Sequence, residues 1–258
     1  SAASDVYKRQ LIGSVLLNLP IASTSGSPIG YVNSLFTSAS AVCVTGLTVL
    51  NTAKDFTPFG QVVIITLIQF GGLGIMTLAT VGYIIMGKKI SFKERLMIKE
   101  QLNTESIQGI VKLMKKVIGY TLFLELMGSL LLALRFVPMF GLEKGLAFSI
   151  FHSISAYCNA GFDIFGDSLI IFQNDYYVLL ILSLLIILGG LGFTVYADLL
   201  AKDKLRKLTL HSKVVLIMTG SLLAIGTLSF FLFERTNPGT LGTMNFPRKL
   251  ANLSLIHI

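Results

Sequence analysis

Two short stretches hold the residues best suited to chemistry, and that chemistry is coordination by backbone oxygen. Ser34–Thr48 reads SLFTSASAVCVTGLT and Ser149–Asp163 reads SIFHSISAYCNAGFD, at a constant offset of 115 residues. Seven of the fifteen positions are identical: Ser34/Ser149, Phe36/Phe151, Ser38/Ser153, Ser40/Ser155, Ala41/Ala156, Cys43/Cys158 and Gly46/Gly161. A repeated unit of this size implies a repeated structure. In each copy, small residues lead into a break, at Val44–Thr45–Gly46 and at Asn159–Ala160–Gly161. A cation stripped of water needs several oxygens to replace its hydration shell. A turn that aims its carbonyls at one axis supplies them. A glycine there reaches backbone angles closed to other residues, and the short helix ahead points its partly negative C-terminus at the ion. The candidate ion-binding backbone is therefore Cys43, Val44, Thr45 and Gly46 with Cys158, Asn159, Ala160 and Gly161.

The surrounding elements must hold these turns at membrane depth. The chain is 53% hydrophobic and 13% charged, without Trp and with 18 Phe, whereas a soluble domain carries about a quarter charged residues. Several runs reach the roughly 20 apolar residues that cross a bilayer, so the chain reads as an integral membrane protein. Tyr31–Val42 is apolar but only about a dozen residues long. It suits a re-entrant helix, and so does Gly145–Tyr157. Irregular backbone at that depth is tolerated only where it lines a cavity or is buried in protein, so the turns should face water or ions. A long apolar helix follows each turn, Phe59–Met86 and Tyr176–Leu200, and each carries a GGLG signature: Gly71, Gly72 and Gly74, then Gly189, Gly190 and Gly192. These glycines permit close helix packing or a hinge. Val117–Val137 and Val214–Phe233 read as further spans, and Pro138–Lys144 as a turn. Leu11–Leu19 reads as the end of a span, followed by an exposed Ser/Gly/Pro loop over Ile21–Gly30.

Both ends read as foreign. One codon choice for Asp5–Gln10, GAT GTG TAT AAG AGA CAG, has a reverse complement that encodes LSLIHI, the sequence of Leu253–Ile258. Inverted copies of one DNA segment at both ends look like translated library adapter, to be set aside as a scar would be. The expected organisation is 1–10 adapter-derived, 11–86 repeat one with a truncated first helix, and 87–116 a basic amphipathic cytoplasmic linker. Then follow 117–200 as repeat two, 201–213 as a second cytoplasmic linker, 214–252 as the start of repeat three and 253–258 as adapter. Setting the ends aside lowers the net charge from +8 to +7.

Charge placement orients the chain. Lys88, Lys89, Lys93, Arg95, Lys99, Lys112, Lys115 and Lys116, and then Lys202, Lys204, Arg206, Lys207 and Lys213, mark the cytoplasmic side. Loops 20–33, 51–57, 138–145 and 163–175 carry only Lys54 and Lys144 and face outside. The two repeats are then parallel. The basic stretches suit a docking partner or anionic lipid headgroups. They lack the aromatic interleaving that nucleic-acid binding would ask for. Glu125 lies inside a span, where an acid is either a functional group or a protonated or hydrogen-bonded packing residue, and packing is the preferred reading. Cys43 and Cys158 read as small buried residues beside the turns; a disulfide would require the two copies to face each other. A membrane-embedded enzyme would need a nucleophile–base pair or a metal cluster at this depth. His152 is the only His in a re-entrant helix, with Thr37 at the equivalent place, and no HExxH or GxSxG occurs. A secondary transporter for another substrate is a second alternative, although such repeats are often inverted.

AVCVTGLTVL, IQFGGLGIMT, SAYCNAGFDIFG, LGGLGF and LHSK resemble the Ktr/Trk superfamily of potassium-uptake proteins, most closely the bacterial Ktr membrane subunit. The resemblance covers about 11–252. It implies an all-α membrane protein of tandem parallel helix–pore loop–helix repeats, two complete and a third begun, within a four-repeat pseudosymmetric cation channel-like fold. It makes Gly46 and Gly161 filter glycines, with carbonyls of Cys43–Thr45 and Cys158–Ala160 coordinating K+, the only metal implied and no cofactor. It also implies a bacterial plasma membrane location, a homodimer of the full-length subunit, a cytoplasmic nucleotide-binding regulatory ring and, in the Ktr branch, stimulation by Na+. The family's gating segment and its remaining two loops would lie beyond Asn252. Two loops of four would not complete a filter, so this stretch by itself is expected not to conduct.

Overall fold

Apolar runs bounded by Gly, Pro and Asp give a chain of helices whose lengths separate spanning elements from re-entrant ones. The computed structural model describes residues 2–74, 96, 110–199 and 208–234. The chain divides into two units, Ser1–Ser168 and Leu169–Ile258.

The first unit contains five helices among its described residues. They are α1 (Ala2–Leu17), α2 (Tyr31–Val42), α3 (Pro58–Gly72), α4 (Ile110–Phe140) and α5 (Leu142–Tyr157). Helix α1 runs without a break through residues 2–10, which the sequence reading assigned to adapter. Helix α2 has the bounds expected of it. At 12 residues it is about 18 Å long, against a hydrocarbon core of about 30 Å. Helix α4, with 31 residues, extends about 46 Å, and its stretch Lys115–Phe140 is long and apolar enough to cross a membrane.

Several local expectations are corrected. The continuous helix expected over Phe59–Met86 stops at Gly72, and Gly74 takes φ +75; the remaining stretch, 75–86, lies outside the described residues. Pro138 lies inside α4 rather than in a turn. A proline in the last turn removes only one donor, and Gly141 N still reaches the carbonyl of Val137 at 2.9 Å. The reversal comes at Gly141 instead, with φ +83, and α5 starts there, three residues earlier than expected. The loop after α1 is exposed over 24–28, as expected, but its start is not. A 3-10 turn at Pro20–Ala22 buries Ala22, and Ser23 bridges Phe56. Thr57 N donates to Ala22 O at 3.0 Å, and Thr24 N to Asp55 O at 3.1 Å. Thr57 caps α3 from the same place, its hydroxyl donating to Ile21 O at 2.6 Å and accepting from Gly60 N at 3.3 Å. This zip ties the end of α1 to the start of α3. The buried apolar core then forms from Leu17, Phe56, Ile64 and Ile68 on one side and Phe151 and Phe162 on the other.

The second unit contains a 3-10 turn at Ile170–Phe172, then α6 (Tyr176–Gly190), α7 (Phe193–Leu199) and α8 (Leu210–Glu234). Asp175 caps α6 by accepting from Val178 N at 3.4 Å. The expected single helix over Tyr176–Leu200 is broken, because Gly192 takes φ +81, a left-handed conformation that ends α6 and restarts the chain as α7. Leu210–Phe233 in α8 is a second stretch long and apolar enough to span. Thr209 caps α8, accepting from Ser212 N at 3.3 Å. Asp198 on α7 accepts from Thr209 N and from the hydroxyls of Thr209 and Ser212. The basic linkers, except 96, 110–116 and 208–213, and the stretch 235–258 lie outside the described residues.

Candidate functional site

Small residues at the C-terminal ends of α2 and α5 let both helices stop in the same way. Cys43 N donates to Ala39 O and Cys158 N to Ile154 O, each at 2.9 Å. The next two residues also match: Val44 N to Ala41 O and Asn159 N to Ala156 O, then Thr45 N to Ser40 O and Ala160 N to Ser155 O. The chain turns at a left-handed residue, with φ 55 at Val44 and 57 at Asn159. It turns again at the glycines, with φ 77 at Gly46 and 71 at Gly161. Asn tolerates the left-handed region; a β-branched Val is a true outlier there. A strained residue of this kind persists only where its surroundings hold it, and such residues cluster at functional sites.

The helices lean on their neighbours through equivalent bonds. Ser38 Oγ donates to Gln10 O at 2.8 Å, and Ser153 Oγ to Glu125 O at 2.6 Å. Thr37 Oγ1 bonds Asn33 O at 2.9 Å, and His152 Nδ1 bonds Phe148 O at 2.8 Å. Every one of these pairs is 115 residues apart. His152 is 4% exposed, and its Nε2 accepts from Ile164 N at 3.5 Å. That acceptance leaves the proton on Nδ1. Its ring stacks on Phe165 at 4.1 Å, so it is a satisfied core residue. One bond is not shared. Ser155 Oγ reaches Phe162 O at 2.7 Å, while the buried Ser40 Oγ has no hydrogen-bond partner among the described residues.

The two turns meet. A Cβ on Gly46 would stand 2.6 Å from Ala160 O, and a Cβ on Gly161 would stand 3.5 Å from Gly46 Cα. Beyond the turns, Asn51 Nδ2 donates to Gly166 O at 2.7 Å, and Lys54 lies 3.8 Å from Asp167. Both partners of that ion pair are exposed, so it adds little.

The C-terminal end of α3 backs both turns at once. A Cβ on Gly71 would lie 2.2 Å from Val42 O, and one on Gly72 2.5 Å from Cys158 Sγ. Packing therefore accounts for these two glycines. Gly74 and Gly192 take positive φ, 75 and 81, and Gly189 and Gly190 close the last turn of α6. Both cysteines are free thiols. Cys158 is half-buried, but Cys43 is exposed, against expectation. It caps α2 one position past the buried run Ser40–Ala41–Val42.

Gln69 is the polar residue that sequence reasoning passed over. Its Nε2 donates to both carboxylate oxygens of Glu125, at 2.9 and 3.0 Å. A lone amide in the apolar run before Gly71 was the available signal.

A family profile for TrkH, described as cation transport protein, matches residues 3–239. The chain belongs to the TrkH family. TrkH-family proteins are transporters rather than enzymes, and they are membrane proteins. Among its most similar relatives is the potassium/sodium uptake protein NtpJ of Enterococcus hirae, 46% identical over 94% of this chain and 53% of that protein. The Ktr system potassium uptake protein B of Bacillus subtilis is 45% identical over 93% of this chain and 54% of that protein. Its counterpart in Vibrio alginolyticus is 42% identical over 91% and 51%. The chain thus spans about half the length of the curated relatives it matches.

Proposed function

We propose that this TrkH-family chain is part of the ion-conducting membrane subunit of a potassium-uptake system. K+ passes through a filter of backbone carbonyls. Cys43–Thr45 and Cys158–Ala160 supply two of its loops, and Gly46 and Gly161 turn the chain at each. The observation that carries this reading is the paired turn: matching hydrogen bonds and matching left-handed φ at residues 115 apart, with the two glycines in contact. A single left-handed turn after a short helix is commonplace. Two of them, each at the end of a helix too short to span and touching each other side by side, suit carbonyl coordination of one ion on an axis that both line.

The architecture follows from the same pairing. The chain is read as parallel helix–pore loop–helix repeats, 11–86 and 117–200, with a third begun at 214, in a four-repeat pseudosymmetric fold. The relatives' names, potassium uptake and potassium/sodium uptake, support K+ as the cargo and leave Na+ as a co-acting ion. Basic stretches 88–116 and 202–213 then lie in the cytoplasm. They are the surfaces offered to a regulatory ring of a Ktr-type system, and the full-length subunit is a homodimer.

The test is complementation of a potassium-uptake-deficient strain by the full-length gene, with and without Gly46→Ser and Gly161→Ser. Each substitution is expected to reduce growth on low potassium and uptake of radioactive rubidium. Unchanged uptake by both variants, at normal membrane levels, refutes the filter assignment.

A further inference from the structure

Glu125 is a carboxylic acid in the middle of an apolar helix, 6% exposed. A buried carboxyl group is costly unless it is hydrogen-bonded. Here every polar atom has an assigned task. Both carboxylate oxygens accept from Gln69 Nε2 on α3, and the backbone carbonyl accepts from Ser153 Oγ on α5. The thiol of Cys158 lies 3.8 Å from Gln69 Oε1 and 4.0 Å from Glu125 Oε1. One turn earlier on α4, Thr121 Oγ1 lies 3.5 Å from Tyr157 OH. Two successive turns of α4 therefore make polar contact with the last residues of α5, where the second loop begins.

We infer that Gln69 and Glu125 form a positioning clamp that fixes Cys158, the first residue of the second filter loop, and so sets how well that loop discriminates between K+ and Na+. The inference rests on the filter reading above. Three features argue for positioning over bulk packing. An apolar pair of similar volume would fill the same space without desolvating an acid. The clamp reaches the loop through Cys158 itself, whose thiol lies against Gln69 Oε1 and Glu125 Oε1. It also belongs to one repeat alone: with the glycine signatures aligned, the counterpart of Gln69 is Ile187. The second loop is thus braced by a polar contact that the next helix in sequence does not offer. Carbonyl oxygens select between ions only while they are held within about 0.5 Å of place, so a loosened loop loses discrimination before it loses throughput.

The test uses the full-length transporter in potassium-uptake-deficient cells, reading the KM for K+, the maximal rate, inhibition by Na+ and the amount of protein in the membrane. Gln69→Ala and Glu125→Ala each remove the hydrogen bonds between the two side chains. Each is expected to raise the KM and lower K+/Na+ discrimination on the order of tenfold, with a maximal rate and a membrane level near wild type. The exchange Gln69→Glu with Glu125→Gln rebuilds an amide–carboxylate pair in the opposite sense and is expected to restore most of the discrimination. A general loss of stability would not be selective for Na+. If the alanine variants do not reach the membrane, the volume-conserving Gln69→Glu alone, which sets two acids together, and its rescue by Glu125→Gln carry the test. Wild-type discrimination in the single variants, or an exchange no better than either single, overturns the inference. Gly161→Ser is measured alongside. If it and Gly46→Ser both leave uptake unchanged, the filter reading itself fails; if they impair uptake while the clamp variants do not, only the clamp fails.

Discussion

The two filter glycines have the same backbone geometry and different surroundings, so one substitution at both positions separates strain from collision. Alanine at either must adopt a left-handed φ, 77 at Gly46 or 71 at Gly161, at a cost of about 1–2 kcal/mol. At Gly161 the added Cβ meets only Gly46 Cα, at the ordinary distance of 3.5 Å. At Gly46 it would stand 2.6 Å from Ala160 O and 3.4 Å from Ala160 C. To reach an ordinary contact, that oxygen must retreat by roughly 0.8 Å. Forced overpacking of this kind adds about 1–3 kcal/mol. We expect Gly161→Ala to cost about 1–2 kcal/mol and Gly46→Ala about 2–5 kcal/mol. The displaced atom is a carbonyl of the other loop, so Gly46→Ala should also raise the KM for K+ more than Gly161→Ala does. Thermal unfolding of the purified full-length protein gives the stability ranking, and rubidium uptake gives the KM. A Gly161→Ala variant as damaging as Gly46→Ala on both measures refutes the reasoning, because it would mean that the two loops do not touch as described.

Other outcomes follow from single contacts. Val44 holds φ 55 with a β-branched side chain, and its counterpart Asn159 holds 57; Val44→Asn should raise the unfolding midpoint, by about 1 kcal/mol in stability, since Asn tolerates this region. Gly71→Ala would drive a Cβ to within 2.2 Å of Val42 O, a backbone atom that cannot swing aside; loss of folded protein in the membrane is expected, and a near-wild-type level would contradict the packing described for α3. Asp198→Ala removes the acceptor that binds Thr209 and Ser212 at the start of α8, and should lower stability by about 1 kcal/mol, read as a lower unfolding midpoint that Asp198→Asn partly restores.

Much of this was legible because it is local. The bounds of α2 follow from a run of twelve residues between Gly30 and the Cys43 turn, and the equivalence of the two turns follows from identity at a fixed offset. The errors are also physical. Pro138 looked like a stop, yet a proline in a final turn forfeits a single bond and the helix continues to Phe140. Tyr176–Leu200 looked continuous because Gly is tolerated inside apolar helices. Only the backbone distinguishes Gly190, which stays helical, from Gly192, which does not. The zip between 20–24 and 54–57, and the pairing of Gln69 with Glu125, join residues that are distant in sequence. No periodicity records such contacts. The fixed offset paired Gln10, rather than Gln69, with Glu125.

The glycine pair at the end of α3 has a consequence for the order in which the protein is made. Gly71 finds its neighbour, Val42, in chain that is already synthesised, whereas Gly72 waits for Cys158. At about 5–20 residues per second, the ribosome needs roughly 4–17 s to add the intervening chain. During that interval the end of α3 lacks the partners that Cys158 and Glu125 later supply to Gly72 and Gln69. The first loop is therefore finished on its own schedule, and the second closes the structure behind both. With Cys43 and Cys158 replaced by Ala, a thiol placed by Gln69→Cys should react with a membrane-permeant maleimide in nascent chains stalled before residue 158 is inserted, and become shielded in longer ones.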